Sequence, residues 1–214
     1  MCGFAGYIHN YGTFDKEEVI HKMADRIKHR GPDDAHYYID DGIALGFRRL
    51  SIIDLEGGRQ PILNEDGSLV LLFNGEIYNY QELREELIKV GHVFTTKTDS
   101  ETILHGYEEY GKKILDRLRG MFAFIIWNKN TKELFGARDI FGIKPFYYYK
   151  KGKEFMFKGR ERAMRRKVIK GGACIPLRPI FSLWFVFPLR QGFHERVSPA
   201  LDGLSIISHP DGVK

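Results

Sequence analysis

Met1-Cys2-Gly3-Phe4-Ala5-Gly6-Tyr7-Ile8 opens the chain, and it carries both a fold signal and a chemical one. Residues 2–8 are small or apolar and read as a short buried strand. Cys2 follows Met1 and is small enough for Met1 to be trimmed, which would make Cys2 the N-terminus. Its thiol and a free α-amine would then sit on one residue. The amine, with a reference pKa of about 7.7–8.0, could serve as base for the most nucleophilic of the ordinary side chains. A cysteine near a terminus is more often incidental, so the catalytic reading depends on what the rest of the chain brings to it.

Outward from this strand, apolar residues at Val19, Ile20, Met23, Ala24 and Ile27 predict a helix over Lys16–Lys28 with Asp15 as its N-cap. Ala35–Ile39 and Ile43–Phe47 read as strands around the turn Asp40-Asp41-Gly42. Ser68–Phe73 is a continuous apolar run, as expected of a strand covered on both faces. Asn79 and Glu82 have capping-box spacing and open a helix to about Lys89. Asp99 is the expected cap of a helix over Ser100–Tyr110. Phe122–Trp127, Glu133–Ala137, Phe146–Tyr149 and Glu154–Phe157 read as further strands. Many strands with few helices between them predict a layered α+β domain rather than a nucleotide-binding βαβ series.

Composition is that of an ordinary globular protein, with 43% hydrophobic and 29% charged residues among 214. Cys2 and Cys174 make no disulfide framework, which points to a reducing, cytoplasmic setting. No signal peptide is evident, and the apolar run Pro176–Leu189 is too short and too broken by Arg178, Pro179 and Pro188 to span a membrane. The net charge of +5 suggests an anionic polymer as partner, but its distribution argues otherwise. From Lys158 onward there are eleven Lys/Arg against four Asp/Glu, a surplus of +7, which leaves −2 for residues 1–157. Neither nucleic acid nor a membrane is therefore expected as a partner of the first 157 residues.

Four clusters accompany Cys2. They are His29-Arg30-Gly31-Pro32-Asp33, Phe47-Arg48-Arg49-Leu50-Ser51-Ile52-Ile53-Asp54, Phe73-Asn74-Gly75-Glu76-Ile77-Tyr78-Asn79 and Thr98-Asp99-Ser100-Glu101. Singly each has a plain reading, as a turn, solvated charge, a turn dipeptide or a helix cap. In this order and spacing they resemble the class II glutamine amidotransferases, a branch of the N-terminal nucleophile hydrolases. The resemblance is strongest to the N-terminal glutaminase domain of glutamine-hydrolysing asparagine synthetases. MCGFAGY, HRGPDD, RRLSIID, Gln60–Ile62, FNGEIYNYQELR, TDSETIL, GMFAFIIW and ARDIFGIKPFYY carry it, over roughly residues 2–157. Glucosamine-6-phosphate synthase and glutamate synthase share the chemistry, but RRLSIID, FNGEIYNYQELR and RDIFGIKP resemble them less.

The resemblance implies a four-layer αββα sandwich and hydrolysis of L-glutamine to glutamate and ammonia through a Cys2 thioester. It implies an oxyanion hole from the Asn74 side chain and the Gly75 backbone N–H. It also implies that Arg49 pairs with the α-carboxylate of glutamine, and that Asp99, helped by Glu76, pairs with its α-ammonium. Arg30, Asp33 and Arg48 would support loops. Glutamine hydrolysis would need no cofactor and no metal. ATP and Mg would belong to an ammonia-accepting synthetase domain, whose Ser-Gly-Gly-x-Asp-Ser loop does not occur among these residues.

The resemblance stops at Phe157. Lys158–Lys170 holds seven basic residues in thirteen, and residues 171–214 show no sustained period. A tail of residues 158–214, unlike the family and either disordered or an out-of-frame product, is the expectation. Three alternatives stand beside the leading one: a truncated, non-catalytic remnant, an amidotransferase domain serving another acceptor, and a binding module that uses the basic segment.

Overall fold

The structure, a computed structural model, describes residues 2–8, 15–50, 59–151, 154–159, 174–176, 183–188 and 194–197. Ser51–Asp54 of the RRLSIID motif, Met1 and the basic run 160–170 fall outside the described residues.

Among the described residues, twelve strands and three α-helices follow in the order β1 (Gly3–Ile8), α1 (Lys16–Asp25), β2 (Asp34–Ile39), β3 (Ile43–Arg49), β4 (Ile62–Leu63), β5 (Leu69–Ile77), α2 (Tyr80–Lys89), α3 (Asp99–Tyr110), β6 (Gly120–Asn128), β7 (Glu133–Arg138), β8 (Tyr147–Lys151), β9 (Glu154–Lys158), β10 (Cys174–Pro176), β11 (Leu183–Pro188) and β12 (His194–Val197). They form two six-stranded sheets, ordered β10-β8-β9-β1-β3-β2 and β12-β11-β7-β6-β5-β4. Every strand pair in both is antiparallel.

The sheets stack face to face. Phe4, Ile8, Ile43, Leu45, Phe47, Phe146, Tyr148, Phe155 and Phe157 from the first meet Val70, Leu72, Ala123, Ile125, Trp127 and Leu134 from the second. On the outer face of the first sheet, Ile20 of α1 packs on Tyr7 and Ala44. On that of the second, Leu83 of α2 and Ile103 and Leu104 of α3 pack on Leu71, Phe73, Phe124 and Ile126. The four-layer α-β-β-α arrangement is thus the observed one. It explains why Ser68–Phe73 lacks a polar face: β5 is covered by a sheet on one side and helices on the other. Trp127 Nε1 donates to Asp40 Oδ2 at 2.7 Å, which ties the two sheets at the end away from Cys2.

Several local expectations are corrected. Asp15 does cap α1, accepting from the N–H groups of Glu17 and Glu18 at 2.9 and 3.3 Å. The helix nevertheless stops at Asp25 and is followed by a 3-10 turn at Lys28–Arg30. Past that turn Gly31 lies against β3, where a Cβ would come within 2.3 Å of the Arg48 carbonyl carbon, so the close approach requires glycine. Asn79 occupies the cap position of α2 without capping it. Its amide instead donates to Arg117 O and accepts from Arg119 N, both at 2.9 Å. Helix α3 begins at Asp99 itself, with Thr98 at the cap position.

Beyond Phe157, β9 runs to Lys158, and Gly159 N donates to Phe4 O at 3.0 Å. Within the segment expected to be aperiodic, β10 pairs with β8, β11 with β7, and β12 with β11.

Candidate active site

Strand alternation assembles the site. Side chains on successive strand residues point to opposite faces. On β1, Phe4 and Ile8 face the other sheet, so Cys2 has the same parity, and it packs against the central core. On β3, Ile43, Leu45 and Phe47 face inward, which puts Arg49 inward too. On β5, Val70 and Leu72 face inward, followed by Asn74 and Glu76 in the same parity. Gly3 pairs with Arg48, and Asn74 with Ala123 in turn opposite Arg138. Three inner-face rows therefore change from apolar to polar, and the first sheet meets the second at β1 and β5.

Cys2 is half-buried, and its Sγ accepts from Leu50 N at 3.5 Å and donates to Leu50 O at 3.8 Å. Arg49 is buried. Arg48, of opposite parity, points to α1, where its Nε donates to Ala24 O at 3.4 Å and its guanidinium pairs with Asp25. Arg48 thus braces the C-terminal end of α1, where support of a loop was the expectation. Arg30 donates to Gly159 O at 3.2 Å, which fits a loop-supporting role.

Asn74 is 4% exposed, and its Nδ2 has no hydrogen-bond partner among the described residues. Such a donor costs about 1–3 kcal/mol relative to a satisfied one, so it calls for an explanation. Gly75 follows it. A Cβ there would lie 2.2 Å from Met121 O and 2.7 Å from Phe122 Cα. Glycine is required at this position by the approach of β6, a packing reason that the sequence alone does not reveal. Gln60 lies behind this strand, and its Oε1 accepts from Phe73 N at 2.6 Å.

Asp99 stands at the end of β5, where its Oδ2 accepts from Ile77 N at 2.8 Å. Burial pushes its carboxyl above the ordinary value, the N–H groups of Ile77 and Ser100 oppose that, and the charge of Glu76 adds to it. Glu76 itself is exposed. Cys2, Arg49 and Asn74 thus lie on inner-facing rows, while Asp99 meets the C-terminal end of β5 from α3.

The sequence reading missed Lys144. This lysine is buried, and burial, followed by repulsion from Arg30, lowers its pKa, while Asp139, Glu76 and Cys2 attract its charge. Asp139 shapes its loop. Asp139 Oδ1 accepts from Ile143 N at 2.9 Å, and Oδ2 accepts from Phe122 N and Lys144 N at 3.2 and 2.9 Å. The Asp139-to-Lys144 spacing within ARDIFGIKPFYY was the available signal.

The half-buried thiol, the buried amide donor without a partner among the described residues and the buried guanidinium all lie on rows that face the space between the sheets. Residues 1–202 match the family described as the glutamine amidotransferase domain. The chain belongs to that family.

It is 53% identical over 151 residues to the glutamine-hydrolysing asparagine synthetase 1 of Bacillus subtilis (strain 168), covering 69% of this chain and 24% of that protein. It is 40% identical over 149 residues to a probable asparagine synthetase of Dictyostelium discoideum, covering 69% of this chain and 27% of that protein. The chain therefore spans about a quarter of the length of these relatives. Among solved structures, the glutamine phosphoribosylpyrophosphate amidotransferase of B. subtilis superposes with a TM-score of 0.71 at 20% identity, covering 92% of this chain and 49% of that chain. That similarity shows the fold. Among the described residues, no helix is long and apolar enough to cross a membrane.

Proposed function

We propose that this amidotransferase domain hydrolyses free L-glutamine with Cys2 as nucleophile. The observation that carries the reading is the buried Asn74 Nδ2, without a partner among the described residues, on the inner row of the second sheet that faces the sheet carrying Cys2. After removal of Met1, the α-amine takes the thiol proton and the thiolate attacks the side-chain amide carbon. The carbonyl oxygen becomes an oxyanion, to which Asn74 Nδ2 and the Gly75 N–H donate. Collapse breaks the C–N bond, ammonia leaves with the relayed proton, and a γ-glutamyl thioester remains. Water then attacks the thioester carbon, the C–S bond breaks, and glutamate and the thiol are regenerated. Arg49 receives the α-carboxylate bidentately, and Asp99 with Glu76 receives the α-ammonium. Lys144 adds positive charge near the thiol.

None of these steps uses a cofactor. The ammonia would serve a synthetase portion of the asparagine-forming type, where ATP and Mg would be consumed, and the setting would be cytoplasmic. The amidotransferase unit is assigned to residues 2–157. Resequencing the DNA downstream of codon 157 tests whether a synthetase frame resumes in another register.

The test of the function is glutamate release from glutamine by the full chain beside Cys2→Ala, with mass spectrometry of the N-terminus. Release that disappears in the variant supports the reading. No release from a folded chain that has lost Met1 overturns self-sufficient hydrolysis and leaves the remnant reading.

A further inference from the structure

On the outer side of the second sheet, away from Cys2, three segments distant in sequence bring together two imidazoles and several carboxylates. Glu65 lies in the turn between β4 and β5, His92 in the loop between α2 and α3, and His105 and Glu108 one turn apart on α3. One ligand atom each from Glu65, His92 and His105 lies within 4.8 Å of the others. His105 Nδ1 is 3.7 Å from Glu65 Oε1 and 2.8 Å from Glu108 Oε2, and His92 Nδ1 is 3.9 Å from the same Glu108 oxygen. Zinc bonds of about 2.0–2.2 Å in a tetrahedron put neighbouring donor atoms about 3.3 Å apart. The observed separations bracket that value.

We propose that Glu65, His92, His105 and Glu108 form a divalent-cation site suited to Zn2+, independent of the glutaminase reading. Both imidazoles are oriented for it. Each turns Nδ1 toward the cluster and Nε2 toward a further carboxylate. His105 Nε2 is 3.7 Å from Glu101 Oε1, and His92 Nε2 is 3.4 Å from Glu109 Oε2. A carboxylate near the far nitrogen favours positive charge on the imidazole edge that faces away from a metal. His105 is 1% exposed, and its Nε2 has no hydrogen bond among the described residues. Glu108 is oriented as well, since Asn64 Nδ2 donates to its Oε1 at 2.7 Å and leaves Oε2 to the imidazoles.

The ligand chemistry selects the ion. Two imidazoles favour zinc over the oxygen-seeking Mg2+ and Ca2+. Two ligating carboxylates balance its charge, and Glu65, partly exposed, leaves a route for entry. Bound there, the ion would pin the β4–β5 turn and the α2–α3 loop to α3, the helix that starts at Asp99.

The experiment uses the full chain without a polyhistidine tag, stripped by chelator, and titrated calorimetrically with ZnCl2 at pH 7.5. Metal analysis and thermal melts accompany it. One Zn2+ per chain is expected, with Tm raised by roughly 5–10 °C at free zinc 100-fold above Kd. Mg2+ should give no heat. A chain with both thiols replaced (Cys2→Ala, Cys174→Ala) should bind equally well. Glu65→Gln and His92→Ala should each weaken binding at least tenfold. Should one of these two variants lose its cooperative melt, the other decides. The proposal is overturned by no zinc binding to the folded chain, by unchanged binding in the folded Glu65 or His92 variant, or by loss of binding in the thiol-free chain.

Discussion

Asn74→Leu should separate activity from stability in opposite directions. Asn74 continues the inner row Val70 and Leu72 of β5, is 4% exposed, and keeps an unpartnered Nδ2. A buried donor without a partner costs about 1–3 kcal/mol. Leucine removes that donor and adds apolar contact, at the expense of some extra volume. A net gain of about 1 kcal/mol corresponds to a Tm rise of roughly 2–4 °C for a chain of this size. Removal of one oxyanion donor lowers kcat by about 10²–10³ in enzymes of this chemistry. Steady-state glutaminase assays and scanning calorimetry on the same preparations read both effects. Asn74→Ala, which deletes the amide without adding volume, should show the same loss of kcat. The reasoning is refuted if kcat stays within tenfold in both variants. It is equally refuted if both lose more than about 4 °C in Tm, for then the amide supports the fold.

The two adjacent arginines should behave differently. Arg49→Lys should raise KM for glutamine by about 10- to 100-fold, the worth of a charged hydrogen bond, with a smaller change in kcat. Arg48→Ala should lower Tm by roughly 3–10 °C through loss of its contacts to Ala24 O and Asp25, with KM near that of the parent. Gly75→Ala should abolish the cooperative melt or the soluble yield, because its Cβ would meet the β6 backbone at 2.2 Å. Asp99 has a raised pKa in the folded chain, chiefly through burial. The folded state therefore holds its proton more tightly than the unfolded one, and stability falls as pH rises from the ordinary carboxyl value through the folded value. Asp99→Asn should flatten that segment of the stability–pH curve. In the parent, kcat/KM should fall on the acid side, as Asp99 gains its proton and loses its attraction for the α-ammonium, with an apparent pKa above that of a free carboxyl. In Asp99→Asn, an unchanged acid limb would show that another group titrates.

The secondary structure was legible wherever one periodicity decided it. Lys16–Asp25 has a single apolar stripe and an aspartate ahead of it, and both act locally. Ser68–Phe73 is apolar because β5 is covered on both faces, so composition alone reported its depth. Reading failed where distant partners compete for a local signal. Asn79 and Glu82 have capping spacing, but the Asn79 amide is taken by Arg117 and Arg119, about forty residues on. Gly75 reads as a turn glycine, although the strand continues through it to Ile77. The cluster at Glu65, His92, His105 and Glu108 was illegible for the same reason. Its three segments have no motif spacing, and only the packing of α3 against the second sheet brings them together.

The candidate site has a signal in the sequence that needs no family likeness. An inner-facing row of a sandwich strand should stay apolar along its length, because a polar side chain there must be satisfied or pay in desolvation. Here Ile43-Leu45-Phe47 is followed by Arg49, Val70-Leu72 by Asn74 and Glu76, and Phe4 is preceded by Cys2, each in strict alternation. One such break would be a strand end. Three breaks, on strands that pair or face one another, put a half-buried thiol, a buried amide and a buried guanidinium on inner rows. Lys144 joins them from the Asp139 loop, its charge disfavoured by burial and by Arg30 yet attracted by Glu76 and Cys2. Fixed charges and an unpartnered donor held in a poorly solvated site do not reorganise when charge develops on a substrate, and that is the condition under which such groups accelerate a reaction. The polar breaks at the ends of the inner rows thus weaken the core locally, and in the proposed function the same breaks would supply the chemistry.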